Sequence, residues 1–277
     1  MNKYNVSLLF TLIVALLLVA CKKNENTTNN ESDTNSAANF AVADNLFGDA
    51  FKVVNQGAIQ KEIDQAGKTN DLNDLCANLT LTPANNNVFP KTLVIDFGSG
   101  CLGADGRLRK GIVTATFSDF FLSANATVTC GFSNYFVDGY KVEGTLTIQN
   151  LSTNNTPKFG STVTAGKVTD PTGKTFLWAE SRTSTMTAGM GDFNYQNDEY
   201  DIEGTGNGTN VDGVAFSMTT NTPLHVKTNC KWVTSGLLTI TTTNIIPISA
   251  TIDYGTGNCD NQAMATIGTY SAAITLP

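Results

Sequence analysis

The 277-residue chain has one histidine, His225, and that scarcity removes most metal centres, catalytic triads and acid–base pairs built on imidazole. Charged residues are only 15% of it, and the formal net charge is −7. A nucleic-acid binder needs clustered Lys and Arg to displace counterions from phosphate, so that class is excluded. Seven prolines and 24 glycines exclude a Pro-rich filament or a collagen. What the chain has in abundance is threonine, 40 residues, and asparagine, 30 residues. Threonine favours strands and asparagine favours turns.

The N-terminus reads as an address. Lys3 supplies a positive start, and Val6 to Ala20 is apolar and uncharged. Fifteen residues rise about 22 Å as a helix, short of the roughly 30 Å hydrocarbon core, so residues 1–20 fit a signal peptide better than a span. The run ends Leu18-Val19-Ala20-Cys21, which resembles the bacterial lipobox. That resemblance implies cleavage before Cys21, a diacylglyceryl thioether on its sulfur and acylation of the new amine. The alternative is an ordinary signal peptide cut before a chance cysteine. Cleavage removes Lys3 alone among charged residues and takes the net charge from −7 to −8. Lys22 follows the cysteine, where retention at the inner membrane goes with Asp, so sorting to the outer membrane is expected. Residues 22–39 contain nothing apolar larger than alanine and are expected to form a disordered tether.

From residue 40 a single domain is expected, with no linker inside it. Phe47, Phe51, Val54 and Ala58 recur at helical spacing, predicting a helix over about 44–66 with Asp44 as its N-cap. From about residue 76 the period becomes two, as in Val142 to Ile148, Ala126 to Phe132 and Leu93 to Phe97. Asp138-Gly139, Thr172-Gly173 and Asp212-Gly213 punctuate the runs as tight turns. Roughly 12–14 strands without helical interludes predict an all-β fold. It is expected to be a large antiparallel meander or a two-sheet sandwich, with the N-terminal helix packed on it.

Two segments echo each other. Leu93-Val-Ile-Asp-Phe-Gly-Ser-Gly-Cys101 returns as Ala250-Thr-Ile-Asp-Tyr-Gly-Thr-Gly-Asn-Cys259, and Cys76 and Cys230 precede them. Each pair straddles the open end of its own hairpin, so Cys76–Cys101 and Cys230–Cys259 are the expected disulfides, with cross-repeat pairing as the alternative. Cys130 shares an apolar strand face with Ala126, Val128 and Phe132 and is the expected free thiol. With Gly103-Ala-Asp-Gly-Arg-Leu-Arg-Lys-Gly111 and Cys230-Lys-Trp232, these motifs resemble an uncharacterised group of Bacteroidota β-rich lipoproteins. The resemblance implies a fold and a location but no activity.

Several residues could carry chemistry. Glu199, Asp201 and Glu203 share one strand face, where they could contribute to a Ca²⁺ site or a glycosidase pair. The plainer reading is a solvated acidic face beside Lys or Arg on the next strand. Arg107 and Arg109 share a face and could hold a carboxylate or phosphate. Trp178, Trp232, Phe176 and Tyr200 could stack on a sugar, although core packing explains them. His225 lacks a Gly-x-Ser-x-Gly nucleophile elbow and reads as a strand residue. Together these predict a non-catalytic protein, anchored by lipid to the outer membrane or cell surface, with a structural or binding role towards a protein or glycan. Nucleic acid is not an expected partner. A carrier of an apolar ligand in a curved sheet is the first alternative, and a secreted glycan hydrolase the second.

Overall fold

A computed structural model describes residues 25–65, 75–85, 88–153, 156–191, 194–243 and 249–276. The signal segment and Cys21 lie outside the described residues. Helix α1 (Glu25–Gln65) opens the fold. Strands β1 (Asn78–Thr82), β2 (Lys91–Asp96), β3 (Cys101–Leu102), β4 (Leu108–Phe117), β5 (Thr127–Val137), β6 (Tyr140–Asn150) and β7 (Lys158–Thr169) follow. The second half comprises β8 (Thr175–Ala188), β9 (Glu199–Thr209), β10 (Ala215–Lys227), β11 (Val233–Thr242), β12 (Ser249–Thr256), β13 (Gln262–Ile267) and β14 (Tyr270–Thr275). All belong to one antiparallel sheet in chain order, and only the two-residue β3 leaves the path, pairing with β4 beside β2. The fold is therefore the all-β meander, not the sandwich.

Hairpin chemistry sets this topology. Asp138 and Gly139 adopt φ of 49° and 89°, the two positive values that a two-residue turn between β5 and β6 requires. Between β9 and β10, Asn210 Oδ1 accepts from the backbone N–H of Asp212 and Val214, both at 2.9 Å. Bulges interrupt most of the ladders and bend the strands. At the β4 bulge Gly111 has φ of 86°, and a Cβ there would lie 2.0 Å from the Asn134 carbonyl oxygen. Only glycine fits that contact.

Bending curves the open sheet around the helix. Phe40 meets Trp178 of β8 with ring centroids 5.0 Å apart, Phe47 meets Phe132 of β5 at 6.1 Å, and Phe51 meets Phe159 of β7 at 5.8 Å. The helix also packs on β1, β2 and β11 to β14. Gly57 explains itself here, since a Cβ would sit 3.2 Å from both Leu93 and Ile95 side chains. Residues 40–47 are buried on every side, so α1 is an enclosed core helix, not one lying on a sheet.

Two expectations need correction. The segment expected to be a tether is helical from Glu25, because its last turns enter the fold. There Ser36 and Ala37 are buried, and Asn210 Nδ2 donates to Ser36 Oγ at 2.9 Å. Asp44 is consequently no N-cap; it lies mid-helix and buried.

The cysteines pair as the echo predicts. Cys76–Cys101 and Cys230–Cys259 are disulfides with Cα–Cα separations of 6.0 and 5.8 Å. Both repeats use the same turn, in which Asp96 accepts from Gly98 N–H and Asp253 from Gly255 N–H, each at 2.8 Å. Cys130 is a buried free thiol on β5, and burial pushes it up to about 12.

Candidate functional site

An enclosed helix carrying polar residues must find partners for them inside the sheet. Asp44 and Asp49 are five residues apart, so they point about 140° away from each other around the helix axis. Each meets its own arginine cluster.

Asp49 faces β4 and β5. Arg109 Nε donates to its Oδ2 at 3.0 Å, Arg107 Nε lies 3.2 Å from its Oδ1, and Tyr135 Oη donates to it at 3.2 Å. Asp105 takes a further hydrogen bond from Arg109 Nη1 at 3.0 Å. Arg107 also reaches Asp138 at 3.2 Å and the Lys231 carbonyl at 2.7 Å. Burial would raise the Asp49 carboxyl, but the Arg109 and Arg107 charges outweigh it and hold the group well below the usual carboxylate range. The two arginines that could hold an anion thus hold carboxylates of their own chain.

Asp44 faces β8. Along that strand the inward positions are Phe176, Trp178, Glu180, Arg182, Ser184 and Met186. Arg182 pairs through Nη1 with Asp44 and through Nε with Glu180 Oε2 at 2.9 Å, and its guanidinium lies 5.7 Å from the Phe40 ring centroid. Burial raises Glu180 to about 7 against the lowering pull of Arg182, and it raises Asp44 as well. Two buried acids share one cation, so one of them is easily protonated.

Beside this cluster, between α1 and the inner faces of β6 to β10 and the start of β11, lies a cavity of about 70 Å³. Phe51, Ile202, Val226 and Trp232 line it and are only partly buried. Glu180, Arg182, Ser161 and Ser184 form a polar part of its wall. Lys52 also borders it, donating to the Cys230 carbonyl at 2.8 Å; burial lowers its ammonium to about 8 against the pull of Asp49. A second hollow of about 150 Å³ is bordered by Lys52, Asp105 and Arg109, whose charges face one another.

The acidic stripe is arranged differently from a metal site. His225 sits opposite Asp201 in the β9–β10 register, and Lys227 opposite Glu199. His225 Nδ1 is 2.8 Å from Asp201 and Nε2 is 3.1 Å from Glu199, while Lys227 Nζ is 3.4 Å from Glu199. Glu203 stands apart and exposed. The calcium reading of Glu199, Asp201 and Glu203 is corrected accordingly. Among the described residues no group of three or more His, Cys, Asp or Glu side chains is placed to hold a metal ion. Phe176, Trp178 and Tyr200 are buried and present no face to a sugar.

Asp49, Glu180, Arg182 and Ser184 escaped the sequence reading, and Asp44 entered it only as an N-cap. For Glu180, Arg182 and Ser184 a signal existed, since they alternate in phase with Phe176, Trp178 and Met186. Compared with protein-family models, curated proteins and solved structures, the chain matches none.

Proposed function

We propose that the protein is a non-catalytic binding protein, held by a lipid on Cys21 at the outer membrane or cell surface. The observation that carries the binding role is the cavity beside α1, where apolar side chains on inward-facing positions keep exposed area. Such a site, mostly apolar with a few convergent polar groups, is the usual form of a small-molecule pocket. The concave side of the sheet is filled by the chain's own helix, so the occupant is a small molecule and not a long acyl chain. The two disulfides support an oxidising compartment beyond the inner membrane. Leu18-Val19-Ala20-Cys21 supports the anchor.

Hydrolysis of glycans is the weaker reading. Both His225 ring nitrogens are engaged by carboxylates of the neighbouring strand, and Glu199 is also held by Lys227.

Metabolic labelling with a fatty-acid analogue tests the anchor: wild type takes up label and Cys21→Ser does not. Label retained in Cys21→Ser would overturn it. Mass spectrometry of the natively purified domain tests the binding role. A small molecule is expected to be released on unfolding or to raise the melting temperature when added back.

A further inference from the structure

The register of the sheet aligns one outward-facing residue on each strand of the path from β1 to β14 into a single row. The row starts at Thr82 and Thr92, passes Thr147 and Thr205, and ends at Thr266 and Ser271. All thirteen members are threonine or serine. All are exposed or half-buried, on the convex side of the sheet, and they alternate with residues that face α1. Strand propensity favours threonine at any one such position, and cross-strand threonine pairs add a little stability. Neither effect demands a hydroxyl on every strand, since any polar side chain satisfies a solvated position.

The surroundings of the row are equally uniform. Two residues before and after each member along its strand, the only charged side chains are Glu203 and Asp253. Among the described residues, the row hydroxyls bonded within the protein are those of Thr239, Thr266 and Ser271. Thr239 donates to Asn221 Oδ1 at 2.7 Å, and Thr266 pairs with Ser271 at 3.0 Å. The remaining hydroxyls are open to the exterior. Neighbouring strands lie about 4.8 Å apart, so the hydroxyls repeat at that period along a curve of about 58 Å.

These features restrict the partner. A hydroxyl both donates and accepts, so its counterpart is another hydroxyl-rich surface. An ionic partner would lose hydration that no opposite charge in the row offsets. The curvature of the sheet excludes a flat, rigid face, which would touch only a few strands. A flexible chain of repeating hydroxylated units meets all three conditions. Threonine is stiff at χ1, so little side-chain entropy is lost when its hydroxyl is engaged.

We propose that this row binds an uncharged polysaccharide strand laid across the sheet, with successive sugar units meeting successive β-strands. The site lies on the opposite side of the sheet from the cavity beside α1 and does not depend on it.

Affinity electrophoresis of the full-length protein in detergent tests the assignment. The gels contain mixed-linkage β-glucan, galactomannan or, as the charged control, polygalacturonate. Each hydroxyl contact is weak in water, so binding accumulates with the number engaged. The expected result is retardation by at least one neutral polymer and none by polygalacturonate. Fragments of that polymer eight sugars long should compete at least tenfold better than fragments of two. Thr129, Thr147 and Thr162 are adjacent in the row. The triple variant Thr129→Val, Thr147→Val, Thr162→Val removes three hydroxyls while keeping side-chain shape and strand preference. It is expected to keep the wild-type melting temperature and to lose at least fivefold in affinity, whereas Thr175→Val, away from the row, changes neither. Unchanged retardation of the triple variant would place the polymer elsewhere and overturn the proposal. Retardation by polygalacturonate alone, or by no polymer, would overturn it as well. Self-association that the triple variant loses, with no polymer bound, would give the row to a second copy of the chain instead.

Discussion

Arg109 Nε donates to Asp49 Oδ2 across 3.0 Å, joining a sheet strand to a helix that the same sheet encloses. The two residues are 60 positions apart in the chain, and both are buried. Arg107 and Tyr135 converge on the same carboxylate, so one acid fixes the position of α1 against β4 and β5.

Asp49→Asn is therefore expected to destabilise the domain by about 3–5 kcal/mol, since it removes the fully buried carboxylate that both guanidinium groups share and leaves Arg109 only Asp105 and Arg107 only Asp138, both less buried. Urea unfolding at pH 7 measures it. The Asp49 carboxyl is held below its ordinary value of 3.8 in the folded protein. Its contribution is complete above that value and is lost as pH falls towards the folded one. The acid limb of wild type, compared with that of Asp49→Asn, should show this difference.

Glu180 acts with the opposite sign. Its folded value is raised from 4.5 to about 7, so between these pH values the folded state holds a proton that the unfolded chain has released. Stability should fall as pH rises through that window and level off above it. In Glu180→Gln this part of the profile is expected to flatten. Melting temperatures between pH 4.5 and 8 check it, and a slope unchanged in the variant would show that another group titrates.

The disulfides give a covalent prediction. Non-reducing peptide mapping should return Cys76 joined to Cys101 and Cys230 joined to Cys259, with Cys130 unmodified by thiol reagents until denaturant is added. Replacing Cys230 and Cys259 by serine should cost about 3.5 kcal/mol by the loop-entropy relation.

Two glycines should respond in opposite directions. Gly48→Ala enters open space in the helix interior and is expected to add about 1 kcal/mol of stability. Gly111→Ala places a Cβ against the Asn134 carbonyl at a positive φ and should destabilise by more than that gain. Parallel denaturation curves decide both.

Much of the sheet was legible. Val142, Leu146 and Ile148 alternate inward on β6 as their spacing says, and Asp138-Gly139 turns the chain where a two-residue hairpin is written. The paired cysteines were legible too, because each echo brackets one hairpin and local pairing closes it. The helix was legible only in part. Phe47, Phe51, Val54 and Ala58 announce one apolar face, yet residues 40–47 are buried all round, and the start at Glu25 lies in a stretch too polar to signal a helix.

The sequence by itself determined what depends on near neighbours in the chain: strand periodicity, turn chemistry, antiparallel pairing and the closure of each hairpin by its cysteines. Tertiary structure alone decided that the meander wraps its own helix. It also chose the single meander over the sandwich and decided that Asp44 and Asp49 face different arginine clusters. The physical reason is range. A β-turn or an alternating strand is specified within about ten residues, but curvature accumulates over the bulges of a whole sheet. Which buried charges then meet depends on where that curvature brings strands more than a hundred residues from the helix. Arg182 and Asp44, 138 positions apart in the sequence, meet only because the sheet has curved around the helix.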